Sequence, residues 1–483
     1  MMMFIRRNER KNMGRLVRIV FIATAIVLFG LLPALAKEQD SLSFNPFGKI
    51  MIYRKTPHPS QVVLFVSGDG GWEKGVVDMA KSISTMDALV LGIDFPRYQK
   101  SLASSKGSCA YCAADFENLS KFAQKTLGFP NYIKPTLVGY SSGATLVYAL
   151  LVQAPHNSYQ GVVSLGFCPD LILPKPMCRG NGLEWTGPFK GKGYIFSAAK
   201  QVDAPWIVFQ GLKDQVCDPP ETEDFVQKVG NAEIVTLPKV GHGFSASRNW
   251  LPQFDYAFGR LFKLGTLKPH TDSSLSDLPL VEIPSTKKQG DSMAIIVSGD
   301  GGWAGIDREI GTRLAENAVP VVGLNSLSYF WTARSPETAS KDLERIIDHY
   351  LTAWDKKNVI LVGYSFGADA LPFMISRLSE NIRHHVAFIA LISPSHDASF
   401  EFHLSDWLGG SPGQSGYKVM PEIENLKDYP LVCVAGSDES DNLCKDLTFP
   451  WVKSVILPGG HHLGGDYQRI TQTILAGIKP VEK

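Results

Sequence analysis

The chain has 483 residues, 44% hydrophobic and 20% charged, and its 48 Lys and Arg against 47 Asp and Glu leave a formal net charge of +1. That is ordinary globular composition, which excludes a disordered polyelectrolyte. The small basic surplus sits at the N-terminus: residues 1–36 carry six basic side chains and one Glu, so the remainder is net −4. No polycationic face for nucleic acid is left.

In chain order, Arg6, Arg7, Arg10, Lys11, Arg15 and Arg18 precede an apolar run at 19–32, then Ala34-Leu35-Ala36 before Lys37. This is the layout of a secretory signal peptide with an A-x-A cleavage site. An uncleaved anchor is the competing reading, but the run falls short of the ~20 residues a spanning helix needs. The pair Arg6-Arg7 lacks the apolar residues that follow a twin-arginine signal, so the general secretory route is expected. Export follows either way.

Short apolar runs bounded by turn residues predict parallel strands at 50–53, 62–66, 88–93, 134–138, 161–165 and 206–210, with a helix after Ser141 running toward Pro155. Residues 264–277 are rich in Ser, Thr, Asp, Pro and Lys without an apolar period, which marks a linker. A second series follows at 278–284, 293–297, 319–324, 359–362, 386–392, 431–435 and 454–457. The expected organisation is a signal peptide at 1–36, a first module at 37–263, the linker, and a second module at 278–483. At roughly 200 residues each, the modules can bury their own cores, but little sequence remains for a lid. A small or wide-open site is expected.

The two series are copies. Val-Ser-Gly-Asp-Gly-Gly-Trp occurs at 66–72 and again at 297–303, and each copy is followed by Gly-Tyr-Ser-x-Gly, at 139–143 and 363–367. Leu237-Pro238 leads to His242, and Leu457-Pro458 leads to His462 at the same spacing. Repeats of this length are duplicated domains, not solenoid units.

Gly-x-Ser-x-Gly between a strand and a helix reads as the nucleophile elbow of an α/β-hydrolase, and the order Ser, acid, His holds in both halves. The fold class expected is therefore α/β: two tandem α/β-hydrolase-like domains, each a mostly parallel sheet flanked by helices. A serine hydroxyl needs a base within hydrogen-bond reach, and the base needs a carboxylate to hold its tautomer. In the second module Ser365 is the expected nucleophile and His462 the base, with the neighbouring His461 as rival. Glu439, which aligns with Asp214, is the first choice of acid; Asp438 is the second, and Asp441 is also within reach. The amide of Phe366 and the Gly-rich loop, at Asp300 and Gly301, are the expected oxyanion donors. That loop could equally be a turn of purely geometric use, with Asp300 capping the next helix. Trp303 is either substrate contact or packing.

The first module offers Ser141, Asp214 and His242, a second candidate site with a full set of residue types. The copies differ in charge. Asp369 stands one helical turn after Ser365, Asp307 four residues after Trp303, and the corresponding first-module residues are Thr145 and Val76. An acidic rim would draw a cationic substrate, with Asp369 as its contact. Solvated loop charges are the plain alternative.

Seven cysteines in an exported chain suggest disulfides, and none is spaced like a four-ligand zinc site. Cys433 and Cys444 bracket the acidic loop 436–441 and are expected to bridge across it. Cys109, Cys112, Cys168, Cys178 and Cys217 are an odd number, so a free thiol or an intermolecular bond is expected. Cys109-Ala110-Tyr111-Cys112 has redox-motif spacing but lies in a Ser- and Gly-rich loop, which favours structural bridging.

The duplicated Ser-Gly-Asp-Gly-Gly-Trp loop, Gly-Tyr-Ser-Phe-Gly-Ala-Asp at 363–369 and the acidic loop 436–444 together resemble the bacterial virulence protein family of AcvB and VirJ, in its two-module AcvB form. The resemblance spans nearly all of the chain after residue 36. It implies a periplasmic serine hydrolase that removes lysine from lysyl-phosphatidylglycerol, acting on an aminoacylated phospholipid at the membrane surface and linked to type IV secretion components and virulence. It carries over to Ser365, to Glu439 or Asp438, and to His462. No metal, organic cofactor or nucleic acid enters this chemistry. Two rival readings are a non-catalytic periplasmic interaction or chaperone protein using the same fold, and a general esterase.

Overall fold

The structure is a computed structural model that describes residues 41–191, 193–265, 273–287, 290–403 and 416–478. The expected signal peptide at 1–36 lies outside the described residues, as do 266–272 of the expected linker. No helix among the described residues is long and apolar enough to cross a membrane.

Two mostly parallel sheets carry the chain. In the first, strand Gly48–Tyr53 runs antiparallel beside Ala88–Ile93, which leads in turn to Gln61–Val66, Thr136–Tyr140, Gly161–Leu165, Gln201–Gly211 and Gly230–Leu237, all parallel. The second sheet repeats the order: Leu280–Ile283 antiparallel to Val321–Leu324, then Ser292–Val297, Asn358–Tyr364, Val386–Ile392, Leu431–Gly436 and Val452–Leu457. The expected tandem α/β arrangement is what forms.

Alternation along a strand explains why the runs are apolar throughout. In Ser292–Val297, Met293, Ile295 and Val297 enter one core with helix Pro336–Ala353, while Ala294 and Ile296 enter another with helix Gly305–Glu316. Both faces are covered, so neither can be polar. In the first sheet the elbow strand lies two residues later than the expected 134–138, because Pro135 cannot donate to a ladder and the strand begins at Thr136.

Each copy also packs its loop tryptophan against a strand glycine. A Cβ on Gly323 would stand 2.2 Å from Cζ3 of Trp303, and one on Gly92 would stand 2.2 Å from Cζ2 of Trp72. Trp303 is 4% exposed and belongs to the core under helix Gly305–Glu316. The expectation of a substrate contact at Trp303 is thereby corrected: its indole fills the space the glycine leaves.

Ser43–Lys483 form one compact unit, and the modules touch through defined contacts. Trp331 Nε1 donates to the Phe129 carbonyl at 2.8 Å, Lys125 pairs with Glu401 at 3.2 Å, and Arg308 with Asp203 at 3.1 Å. Leu327, Trp331 and Phe402 pack together with Tyr132 of the first module. The first module thus rests on loops at the C-terminal ends of the second module's strands, the end where a parallel α/β sheet places its site.

Candidate active sites

Both elbows have the strained geometry that exposes a nucleophile. Ser141 has φ 55° and ψ −125°, Ser365 φ 52° and ψ −121°, and each leads into a helix, Ser142–Gln153 or Phe366–Ser376. Glycine is required on the helical side: a Cβ on Gly367 would lie 2.0 Å from the Val297 carbonyl oxygen, and one on Gly143 would lie 2.5 Å from that of Val66.

In the first module the three candidate residues meet. His242 Nε2 lies 2.9 Å from Ser141 Oγ, and His242 Nδ1 lies 2.9 Å from Asp214 Oδ2. The other carboxylate oxygen of buried Asp214 accepts from the amides of Val216 and Cys217 at 2.8 and 3.0 Å. Asp214, Cys217 and His242 form the one cluster of metal-ligand types found among the described residues. Cys217 is already bonded to Cys168, so the cluster is the Ser–His–Asp array itself.

The second module assembles differently from the expectation. His461, not His462, faces the serine, with Nε2 at 2.8 Å from Ser365 Oγ, and its Nδ1 stands 3.5 Å from Glu439 Oε2. His462 points away from the serine, and its Nδ1 meets the Tyr364 hydroxyl at 3.2 Å. Burial, together with the adjacent His461, holds the His462 imidazole below its ordinary pKa against the pull of Glu439. The cause is a shortened turn. The Asp438 amide is taken by the Gly459 carbonyl, two residues after Leu457, whereas the equivalent Lys213 amide is taken by the Val240 carbonyl, three residues after Leu237. The histidine at the working position therefore arrives one residue earlier than in the first copy.

Between the acids, the structure brings Glu439 to the histidine and leaves Asp438 outside, its carboxylate accepting from the Ser437 hydroxyl at 2.7 Å. Glu439 Oε1 accepts from the Gly436 amide at 2.7 Å and the Ser393 hydroxyl at 2.8 Å. Burial raises its pKa, but His461, the Gly436 amide and Ser393 outweigh that, so it sits below the usual range. Ser393, at φ 51°, was not legible as a site residue; it occupies the place of Gly166 in the first copy, with no motif around it.

Phe366 opens the elbow helix, as an oxyanion donor must. In the glycine loop, Gly302 N–H closes a turn onto the Gly299 carbonyl at 3.0 Å. The Gly299 amide is taken by buried Asp307, whose carboxyl burial pushes well above its ordinary pKa. Asp307 is therefore a core residue and not part of an acidic rim. The amides of Asp300 and Gly301 remain the loop's candidates for an oxyanion.

Asp369 is 8% exposed, one turn into the elbow helix, and accepts from the Ser395 amide at 2.6 Å. Burial raises its pKa well above the carboxylate range; the Ser395 amide opposes this, while Asp441, Asp300 and Asp397 reinforce it. His396 bridges Asp441 and Asp446, and Lys418 pairs with Asp397 at 2.7 Å. Ionisation of the carboxyl nearest Ser365 is thus disfavoured by burial, and the outer carboxylates are engaged by His396 and Lys418. This site is also the more open, with the His461 side chain 45% exposed against 17% for His242.

The disulfide Cys433–Cys444 forms as expected and ties the strand before the acid loop to the loop's end. In the first module the pairs are Cys109–Cys178 and Cys168–Cys217. Cys112 is the buried free thiol, pushed up to about 12 by burial, so the C-x-x-C stretch is neither a bridge in itself nor a reactive pair.

Several solved structures resemble about half the chain. An α/β serine hydrolase without lid from Xanthomonas campestris shares 18% identity over 49% of this chain and 100% of its own, with a TM-score of 0.33. The esterase domain of a Rhodothermus marinus protein shares 14% over 46% and 96%, with a TM-score of 0.31. A Pyrococcus furiosus esterase shares 13% over 44% and 94%, again at 0.31. No curated protein matches. The model of the bacterial virulence protein (VirJ) family matches residues 60–168 and 291–482, more than half the chain and both serine elbows. With more than half its length matched, the chain belongs to the bacterial virulence protein VirJ family.

Proposed function

We propose that the second module is a periplasmic serine hydrolase for aminoacyl esters, with the lysyl ester of phosphatidylglycerol as its substrate. The observation that carries this reading is Ser365 held by His461 and Glu439 one helical turn from the buried carboxyl of Asp369. Ser365 Oγ attacks the ester carbonyl while His461 Nε2 takes its proton, Glu439 holds the imidazolium, and the amides of Phe366, Asp300 and Gly301 meet the oxyanion. His461 returns the proton to the leaving glycerol oxygen. Water, deprotonated by the same histidine, then releases the amino acid. Three disulfides suit an oxidising compartment, and the N-terminal signal reading suits export to it.

The test is lysine release from lysyl-phosphatidylglycerol vesicles by the full chain. Ser365→Ala is expected to reduce it by at least about 10³-fold; undiminished release would overturn the reading.

Charge recognition has its own signature. Because Asp369 titrates above the usual carboxylate range, it is protonated at low pH and becomes an anion as pH rises through that elevated value. KM for the lysyl ester should therefore fall with rising pH, relative to a neutral acyl ester. Asp369→Asn should abolish that trend and cut the lysyl preference by about tenfold, the scale of one charge pair in a partly desolvated site. A preference unchanged in Asp369→Asn would remove the charge argument while leaving the serine chemistry standing.

A further inference from the structure

Equivalent positions around the serine carry different chemistry in the two modules. Sheet register pairs Tyr140 with Leu165 and Tyr364 with Ile392, so residues 166–170 correspond to 393–397. Where the second module places Asp369, His396 and Asp441 beside its serine, the first places Thr145, Pro169 and Val216. Thr145 does not present a charge. Its hydroxyl donates to the Cys168 carbonyl at 2.6 Å.

Pro169 and Val216 line a cavity of about 390 Å³, walled also by Phe189, Tyr194 and Ile195 and floored by the Cys168–Cys217 disulfide. Its floor is tied to the first triad's supports by hydrogen bonds. The Cys217 amide holds Asp214, and the Cys168 carbonyl holds the elbow helix one turn from Ser141. Its outer wall is a three-stranded antiparallel sheet, Asp170–Ile172, Trp185–Phe189 and Gly193–Phe196, which the sequence reading did not anticipate. This wall and the neighbouring loop expose apolar groups that a solvated surface has no use for: Phe189 is 50% exposed, Ile195 42% and Val216 67%. Asp170, Asp218 and Glu221 complete the rim, which disfavours an anionic acyl group.

We infer that the first module is a second, independent hydrolase, specific for esters of neutral apolar acyl groups, whose chain lies in this cavity. Ser141 Oγ adds to the ester carbonyl carbon and passes its proton to His242 Nε2. The tetrahedral adduct collapses with cleavage of the carbon–oxygen bond to the alcohol, which leaves with that proton. A water molecule gives a proton to His242 and its oxygen to the acyl carbon, freeing the carboxylic acid and restoring Ser141. Ester and water become acid and alcohol, with nothing else consumed.

The experiment uses the full chain with p-nitrophenyl octanoate and p-nitrophenyl acetate, alongside lysine release from lysyl-phosphatidylglycerol. Ser141→Ala is expected to lower octanoate hydrolysis by at least about 10³-fold, and Ser365→Ala to leave it in place. Val216→Asp, at an exposed position that does not support the core, is expected to lower the octanoate-to-acetate ratio of kcat/KM by about tenfold. The inference fails if the folded wild-type chain does not hydrolyse octanoate, if hydrolysis survives Ser141→Ala, if it disappears in Ser365→Ala, or if Val216→Asp leaves the ratio unmoved. Lysine release follows Ser365 alone, so failure of the aminoacyl reading shows separately.

Discussion

Glutamine in place of His461 is expected to lower aminoacyl ester turnover by about 10⁴-fold, while glutamine in place of His462 costs about fivefold at most. The first figure is the scale set by losing the base of a serine triad; the second is the worth of one ordinary hydrogen bond, here the contact with Tyr364. Two adjacent histidines make this an unusually clean comparison, since both variants change the same turn by the same chemistry. Only one ring stands 2.8 Å from Ser365 Oγ. The checks are steady-state kcat on the lysyl ester, and circular dichroism to confirm that both variants fold. A reversed pattern, with the larger loss in the His462 variant, would mean that the turn rearranges when substrate binds and that His462 takes the proton.

What the sequence disclosed and what it concealed divide along a physical line. Strand positions were legible because each central strand is buried on both faces, which forces runs such as Val-Ile-Leu-Val at 359–362 to be apolar throughout. The elbows were legible because close backbone approach at Gly143 and Gly367 tolerates nothing larger. His461 ranked behind His462 because alignment by spacing assumes that equal numbers of residues span equal distances, and the Gly459-Gly460 turn takes a shorter route. Asp307 had the composition of a rim charge, yet its burial depends on how helix Gly305–Glu316 meets the Gly299 amide. Thr145 was visible as a departure from the acidic pattern, but Val216 and the meaning of both required the antiparallel wall formed by Asp170–Ile172, Trp185–Phe189 and Gly193–Phe196, whose short strands carry no strong period. The first module's triad was legible as residue types. Its bond lengths come from tertiary packing alone.

A valine at Gly323 is expected to unfold the second module at temperatures the parent withstands, with a loss of more than about 3 kcal/mol. The glycine lies inside strand Val321–Leu324, where it would ordinarily weaken the ladder. It is retained because the Trp303 indole occupies the volume a side chain would need, with Cζ3, Cε3 and Cη2 all within 2.5 Å of an ideal Cβ. Trp303 cannot move aside cheaply, since it also packs on the helix Gly305–Glu316 side of the sheet with Ile306 and Ile310. Chemical denaturation should therefore show strong coupling between the two positions: Trp303→Leu alone leaves a cavity, Gly323→Val alone a collision, and the double variant should lose less than the sum. Additive losses would mean that the indole and the strand are not in contact in solution. The same pairing of Trp72 with Gly92 in the first copy makes this a property of the duplicated unit. The indole also anchors the loop that runs from Ser298 to Trp303, so loosening it should displace the Asp300 and Gly301 amides from Ser365 and reduce kcat before stability fails. A Trp303→Leu variant that stays folded at low temperature but turns over the lysyl ester more slowly, with KM little changed, would establish that the tryptophan acts on the chemistry through the loop it holds.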